Sequence, residues 1–188
     1  GLTIGSLIWK LKIGRTKYES SINLENSGFL GSVYKFSGEY RVFGENKGGE
    51  LLPTDYFQNW LTRAKTREVK ILFKNLKIKE ILINPNEEEK ARIDYYTLKN
   101  YRDPITSFIS ILKSEIPSYT IDGRRAYLLF PKVVDNYQRI LIHNYQNIWA
   151  DHKRNDLSYI EYYNDKEKLL PKKINIKFKG SIFSIIEL

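Results

Sequence analysis

The sequence contains no cysteine, no methionine and only two histidines among its 188 residues. The absence of cysteine excludes a disulfide framework, thiolate catalysis and cysteine metal sites. No apolar run approaches the ~18 residues that a membrane-spanning helix needs, so we expect no transmembrane segment. A chain of this length buries a core without disulfides or metals, and no linker or repeat divides it. The sequence therefore predicts one β-rich domain over residues 1–188.

The chain also lacks an initiator methionine, since it begins at Gly1 and Leu2. This start predicts that a signal peptide, with or without a lipid anchor, has been trimmed. Stray thiols are a liability during export, so the missing cysteine agrees with a periplasmic or secreted protein. A cytosolic protein fits the same absence almost as well.

Basic residues outnumber acidic ones, 31 to 22, for a net charge of +9. Such an excess is typical of nucleic-acid binding. A bias towards AT-rich codons produces the same balance, because 21 of the basic residues are lysine. We expect no nucleic-acid partner. The alternative, a module with a Lys- and Tyr-rich sheet face, requires eight lysines to converge: Lys10, Lys12, Lys70, Lys74, Lys77, Lys79, Lys173 and Lys177.

Apolar and polar residues alternate along most of the chain, which is the pattern of half-buried strands. The opening segment is an example, because Leu7, Trp9 and Leu11 face one way while Lys10 and Lys12 face the other. About ten such runs, separated by short turn signals, predict a mainly β fold (α+β by strict count). We expect a single curled antiparallel sheet or partly open β-barrel with one short helix packed on it or plugging it.

One segment carries a clear helix signal, over residues 104–113. Asp103 is a good N-cap, and Pro104 occupies the first helical position, where its missing N–H costs nothing. We expect Ser107, one turn from the cap, to bond to the Asp103 side chain or to face solvent. Apolar residues recur at helical spacing along one face: Ile105, Phe108, Ile109 and Leu112.

Two further segments carry local signals. Asp122 and Gly123 predict a tight hairpin, with Arg124 and Arg125 after the turn. Residues 84–102 read as a loop of nearly twenty residues, which is unusual in a compact domain. This loop is either a lid across one mouth of the curled sheet or contains a strand or helix that the pattern does not reveal.

No constellation in the sequence points to catalysis or to a cofactor. His143 and His152 are nine residues apart and do not match a metal-ligand spacing, so we expect no metal site. A nucleophile elbow and a phosphate-binding glycine loop are both absent. We therefore expect a protein that is not an enzyme and has no cofactor.

Aromatic residues are abundant, with 14 Tyr, nine Phe and three Trp. Tyrosine and tryptophan fit half-buried pleated surfaces, so many of these serve folding alone. A curled sheet with a plugging helix nevertheless predicts an elongated apolar pocket beside Phe108, with arginines available for an anionic headgroup. The candidate ligand-binding residues are Trp9, Tyr40, Tyr56, Trp60, Arg63, Phe108 and Arg125.

Five landmarks occur in the order found in a bacterial envelope family, known as domain of unknown function 3108, and the chain resembles that family over almost its whole length. The resemblance implies a periplasmic or secreted β-rich protein of Gram-negative bacteria, with no established activity. The helix start departs from the commoner Asp-Pro-Leu-Ser-Ala form. The landmarks are Ile13-Gly14, Leu51-Leu52-Pro53-Thr54-Asp55-Tyr56, Asp103-Pro104-Ile105-Thr106-Ser107, Asp122-Gly123-Arg124-Arg125, and the ending Leu170-Pro171-Lys172-Lys173-Ile174 with Gly180-Ser181-Ile182.

These observations predict a non-enzymatic envelope protein that binds a hydrophobic or glycan ligand in the interior of the sheet. Two alternatives stay open: the nucleic-acid-binding module, and a structural component of an envelope complex that associates through a sheet edge. Ligand identity and oligomeric state do not follow from the sequence.

Overall fold

The computed structural model describes residues 5–26, 36–149, 155–164 and 167–187. Its first six strands form an antiparallel sheet in which every strand pairs with the next one along the chain. Short turns join most of these strands, which favours pairing between consecutive strands. The strands are β1 (Gly5–Ile13), β2 (Lys17–Asn26), β3 (Phe36–Lys47), β4 (Glu50–Thr62), β5 (Thr66–Lys74) and β6 (Lys77–Asn84).

The second sheet has seven strands in the order β13-β12-β11-β10-β9-β8-β7. The two-residue strand β7 runs parallel to β8, and the other neighbours are antiparallel. The strands are β7 (Tyr101–Arg102), β8 (Ser118–Ile121), β9 (Arg125–Val134), β10 (Tyr137–Asn147), β11 (Leu157–Tyr163), β12 (Lys173–Phe178) and β13 (Ser181–Ile186).

The mainly β class with one short helix is confirmed. The arrangement differs from the single curled sheet of about ten strands, because the described residues form thirteen strands in two sheets. Alternation along a strand shows which residues share a face, but it does not show which strands are neighbours. The change from one sheet to the other falls between β6 and β7, within the long segment that contains no strong periodicity.

Residues 84–102 connect the two sheets and contain local structure. A 3-10 turn forms at Tyr95–Thr97, where the Asp94 side chain accepts a hydrogen bond from Tyr96 N. Isolated bridges join Lys99 to Lys77 and Ala91 to Trp149. Ile93, Tyr95 and Leu98 pack against the core. Of the two expectations for this segment, unrecognised local structure is therefore confirmed, since β7 and the 3-10 turn lie within it.

The helix α1 (Pro104–Ser114) begins and ends as local chemistry requires. Asp103 Oδ1 accepts hydrogen bonds from Ile105 N at 2.9 Å and Thr106 N at 3.0 Å, which confirms Asp103 as the N-cap. Pro104 occupies the first turn, as expected. The helix runs one residue further than predicted, to Ser114, and its C-cap is Glu115, whose φ of 54° is left-handed.

Helix α1 lies between the two sheets and buries two different faces. Ile105 and Ile109 belong to a core cluster built mainly from β2 to β6, with members such as Val42, Tyr56 and Ile71. Phe108 and Ile111 belong to a second cluster with residues of β9 to β12. The apolar surface of the helix is thus wider than the single stripe predicted, because the helix has a sheet on either side.

Ser107 does not have either of the roles expected for it. Its side chain is fully buried, and its Oγ accepts hydrogen bonds from Ser118 Oγ at 3.0 Å and from Thr120 Oγ1 at 2.8 Å. Ser118 and Thr120 lie on β8, so these bonds join the helix to the second sheet. On the other side, Tyr18 Oη and Thr106 Oγ1 lie 2.6 Å apart and join the helix to β2. Buried hydroxyls need hydrogen-bond partners. Because the helix hydroxyls pair with hydroxyls of the two sheets, these bonds fix the position of the helix relative to both sheets.

The buried Asp103 carboxyl predicts a pH dependence of stability. Burial raises its pKa from the ordinary value of 3.8 to about 6, against the lowering effect of the hydrogen bonds that it accepts. The stability from this group is fully present below pH 3.8 and is lost as pH rises through 6, a change of up to about 3 kcal/mol. Asp103→Asn keeps the capping oxygen without the charge. We expect urea unfolding of D103N to match the wild type at pH 4 and to exceed it by up to about 3 kcal/mol at pH 7.5.

The matched comparison is the difference between the two proteins at each pH, since other groups titrate in both. An unchanged difference between pH 4 and pH 7.5 would show that the Asp103 carboxyl does not gain a proton on folding.

Candidate interaction site

Trp9 and Phe108, two of the predicted ligand-binding residues, pack against each other in the interior. Their ring centroids lie 5.8 Å apart, and Phe108 also contacts the edge of Tyr162 at 5.6 Å. Trp9 Nε1 donates a hydrogen bond to Ser20 Oγ at 2.8 Å. Both side chains therefore have their partners within the protein.

The side chains around the expected apolar pocket are buried from solvent. Phe108 is 8% exposed, and its helical neighbours Ile109 and Ile111 are fully buried. Two surface clefts, of about 570 and about 270 Å³, lie elsewhere: the first beside the β1–β2 turn and the second near Gly38 and Asn59. Neither cleft is lined by Phe108, so the pocket beside Phe108 stays a prediction that these two clefts do not support.

Tyr40 and Tyr56 belong to the first core cluster. Tyr56 is 1% exposed, and its hydroxyl donates to Gln58 Oε1 at 3.1 Å. Tyr40 is half-buried, and burial together with the nearby Asp122 raises its pKa to about 12. Both side chains thus contribute to core packing.

Trp60 and Arg63 lie near the turn between β4 and β5 and do not form a site with the other candidates. The Trp60 ring stacks on Phe36, with centroids 5.5 Å apart and planes 11° from parallel. Arg63 is exposed in the turn. Trp60 is thus a stacked, half-buried ring, and Arg63 is a solvated turn residue.

Arg125 follows the hairpin turn that the Asp122-Gly123 pair predicts, and this turn is confirmed between β8 and β9. Gly123 has a φ of 90°, and a Cβ there would lie 2.3 Å from Val69 Cγ1 on the first sheet, so only glycine fits. Arg125 pairs with Asp122 at 3.4 Å and with Asp156 at 3.8 Å. Two carboxylates thus offset its charge, which leaves it poorly suited to an anionic headgroup.

The remaining landmark residues have structural positions. Pro171 is half-buried and comes two residues before β12. Gly180 and Lys179 form the two-residue turn of the β12–β13 hairpin, with φ of 78° and 49°. Positive φ at both positions matches a type I′ turn, in which glycine avoids the strain of a side chain.

Candidate metal ligands do not come together in the part of the chain that the structure describes. Its His, Asp and Glu residues form no group of three or more that could hold an ion. His143 lies on β10 with its ring stacked on Phe130 at 5.4 Å, and His152 lies outside the described residues. Within the same ranges, no helix has both the length and the apolar character to cross a membrane.

The eight lysines of the nucleic-acid alternative are spread over both sheets. Lys10 and Lys12 are on β1, whereas Lys173 and Lys177 are on β12. The other four lie on β5 and β6, at the opposite end of the first sheet from β1. Lys12 also has Glu19 at 3.9 Å. The eight lysines are therefore divided among β1, β5, β6 and β12 and do not all lie on one pair of strands.

A row of polar side chains, missed in the sequence, crosses the outer face of the second sheet. The row joins Arg139, Glu161, Asn175 and Ser184, which lie opposite one another on β10 to β13. Arg139 Nη2 donates to Glu161 Oε1 at 2.6 Å, and Asn175 Nδ2 donates to Glu161 Oε2 at 3.3 Å. Ser184 Oγ donates to Asn175 Oδ1 at 2.8 Å. These bonds hold β13 against the sheet.

Strand β13 is an outer strand of the second sheet and carries three exposed apolar side chains. Ile182 is 55% exposed, Phe183 42% and Ile186 62%. The strand, Ser181–Ile186, contains no charged residue. Ile185 packs inward against the second core cluster, so Phe183 shares its face, while Ile182 and Ile186 lie on the outer face.

The backbone of β13 leaves a row of hydrogen-bonding groups without a neighbouring strand in the described residues. Glu187 N donates to Lys172 O at 2.9 Å, in line with the register of β12 and β13. In an antiparallel pair, alternate residues bond to the partner strand. The N–H and C=O groups of Ile182, Ser184 and Ile186 therefore point away from β12, towards the free edge.

The other three outer strands of the described sheets are protected against strand pairing. Strand β1 has Lys10 and Lys12 exposed along it, and β7 is only two residues long. Strand β6 carries exposed lysines and is bridged at Lys77 by Lys99. Charge, shortness and cover are the usual means of blocking an edge. Among the described residues, none of these protects the β13 edge.

Comparison with known proteins finds no relative: no family model, no curated protein and no solved structure matches this chain. The resemblance to the envelope family of unknown function 3108 stays a prediction.

Phe108→Ala tests whether Phe108 is a core residue. We expect a loss of about 3–5 kcal/mol in the free energy of unfolding, because the substitution leaves a cavity between the helix, Trp9 and Tyr162. Phe43→Ala is the matched control, since Phe43 is 48% exposed on β3 and should change stability by less than about 1 kcal/mol. Urea unfolding measures both. A loss below about 1 kcal/mol for Phe108→Ala would contradict its role in the core.

Proposed function

We propose that this chain is a non-enzymatic interaction protein of the bacterial envelope that adds a partner's β-strand to the free edge of β13. The observation that carries the proposal is the edge itself: outward backbone groups at Ile182, Ser184 and Ile186, without charge along the strand. It corresponds to the structural-component alternative among the sequence-based hypotheses.

Strand addition uses both features of this edge. Main-chain hydrogen bonds to the outward N–H and C=O groups supply affinity for any extended segment. Exposed Ile182 and Ile186 on one face and Phe183 on the other supply apolar contacts to alternate side chains of the incoming strand. The preferred partner is therefore an extended segment with uncharged, β-branched or aromatic residues.

The interior-ligand hypothesis has less support than this edge. Its candidate residues Trp9, Tyr56 and Phe108 are engaged in core packing. The envelope location is part of the proposal and is supported by the ordered landmarks of the resemblance and by the absence of cysteine.

Site-specific photocrosslinking in the cells that produce the protein tests the proposal. Replacing Phe183 by the photoreactive residue p-benzoylphenylalanine places the probe on β13 of the full chain. Replacing Tyr119 provides the matched control, because Tyr119 is also 42% exposed but lies on β8. We expect a defined crosslinked species from position 183 and none from position 119.

Either of two results would overturn the proposal. One is the absence of a crosslink at position 183, and the other is the same species from both positions. The mass of the species identifies the partner, since a second copy of this chain adds 22.2 kDa.

A further inference from the structure

We infer that the strand that pairs with β13 is β13 of a second copy, in an antiparallel register that places Ser184 opposite Ser184 at a two-fold axis. The inference rests on the proposed strand-addition function and deepens it by naming the partner.

The backbone favours this register. A two-fold axis perpendicular to the sheet keeps inner faces together, so a residue on one face must lie opposite a residue on the same face. With Ser184 on the axis, Ile182 of each copy lies opposite Ile186 of the other. All three outward-facing residues of both strands then form hydrogen-bonded pairs. A shift by two residues in either direction leaves part of this set unpaired.

The side chains favour the same register. Ile182 meets Ile186 of the second copy on the outer face, and Phe183 meets Ile185 on the inner face. Each apolar side chain of the strand thus lies opposite another apolar side chain, and pairs of this kind stabilise sheets. The two serines at the axis are small and keep their hydrogen bonds to Asn175.

Charge favours β13 over the β1 edge as the place where two copies meet. Two chains of net charge +9 repel each other over most of their surface. Strand β13 contains no charged residue, so it brings no like charges into contact. The β1 edge would bring Lys10 and Lys12 of one copy close to those of the other.

The absence of cysteine provides a direct test of the register, because any introduced thiol is the only one in the chain. In a hydrogen-bonded antiparallel pair, opposite Cα atoms are about 5.5 Å apart, which suits a disulfide. Ser184→Cys should therefore form a covalent dimer on mild oxidation of the purified chain. Ser181→Cys is the matched control, since two Ser181 residues would be about 20 Å apart across the axis.

We expect the covalent dimer of S184C to exceed that of S181C at least about tenfold at equal concentration, because disulfides need Cα atoms within about 7 Å. Equal crosslinking of the two variants, or no crosslinking of S184C, would overturn the register.

A pair of charge variants provides a second, independent test. Ile182→Lys with Ile186→Lys places like charges opposite each other twice, so self-association should weaken by at least about tenfold. Ile182→Lys with Ile186→Glu places Lys opposite Glu twice and should restore the dimer. Sedimentation velocity measures both, and both side chains are more than half exposed in the isolated chain, so folding should be retained.

Failure of rescue by the Lys–Glu variant would overturn the register even if the Lys–Lys variant is monomeric. A chain that is monomeric in sedimentation but crosslinks through position 183 to a different protein would overturn the second copy and leave the strand-addition function standing. Absence of any crosslink at position 183 overturns the function itself.

Discussion

The burial of helix α1 between two sheets is the constraint on which the rest of this structure depends. Ile105 and Ile109 face the first sheet, and Phe108 and Ile111 face the second. Buried hydroxyls repeat this division, since Thr106 is tied to Tyr18 and Ser107 to Ser118 and Thr120. The Asp103 cap starts the helix at the depth where these contacts form, at the cost of a carboxyl in an apolar surrounding, which the two backbone N–H donors partly offset.

The ring contacts between the sheets are the reason that the proposed interaction is placed at the surface. The space that a ligand would need lies where Trp9, Phe108 and Tyr162 are in ring contact. Close packing of this kind resists both expansion and loss of volume. The aromatic residues that read as a ligand-binding set are for the most part the residues that join the helix to its sheets. On the described surface, the outer strand β13 has outward-facing backbone N–H and C=O groups.

The distribution of charge distinguishes the edge of β13 from the edges of β1 and β6. Lysines cover β1 and β6, and they keep copies of a strongly basic chain apart. Arg139, Glu161, Asn175 and Ser184 are hydrogen-bonded to one another. This row crosses the sheet from β10 to β13, which is uncharged. An edge held firmly by its own sheet but open on its other side presents an ordered template, so little entropy is lost when a strand is added.

Local chemistry in the sequence determined the helix cap at Asp103, the Asp122-Gly123 hairpin and the alternation that makes the chain mainly β, because each of these depends on neighbours within a few residues. Only the tertiary structure decided that the strands form two sheets, that Ser107 is buried, and that Arg125 is neutralised by Asp156, 31 residues away in the chain. The exposure of β13 also depends on the tertiary structure. Ser181–Ile186 reads as a strand from its residues, but whether a second strand lies beside it depends on the order of the sheet, in which β13 is the last of six consecutive antiparallel strands.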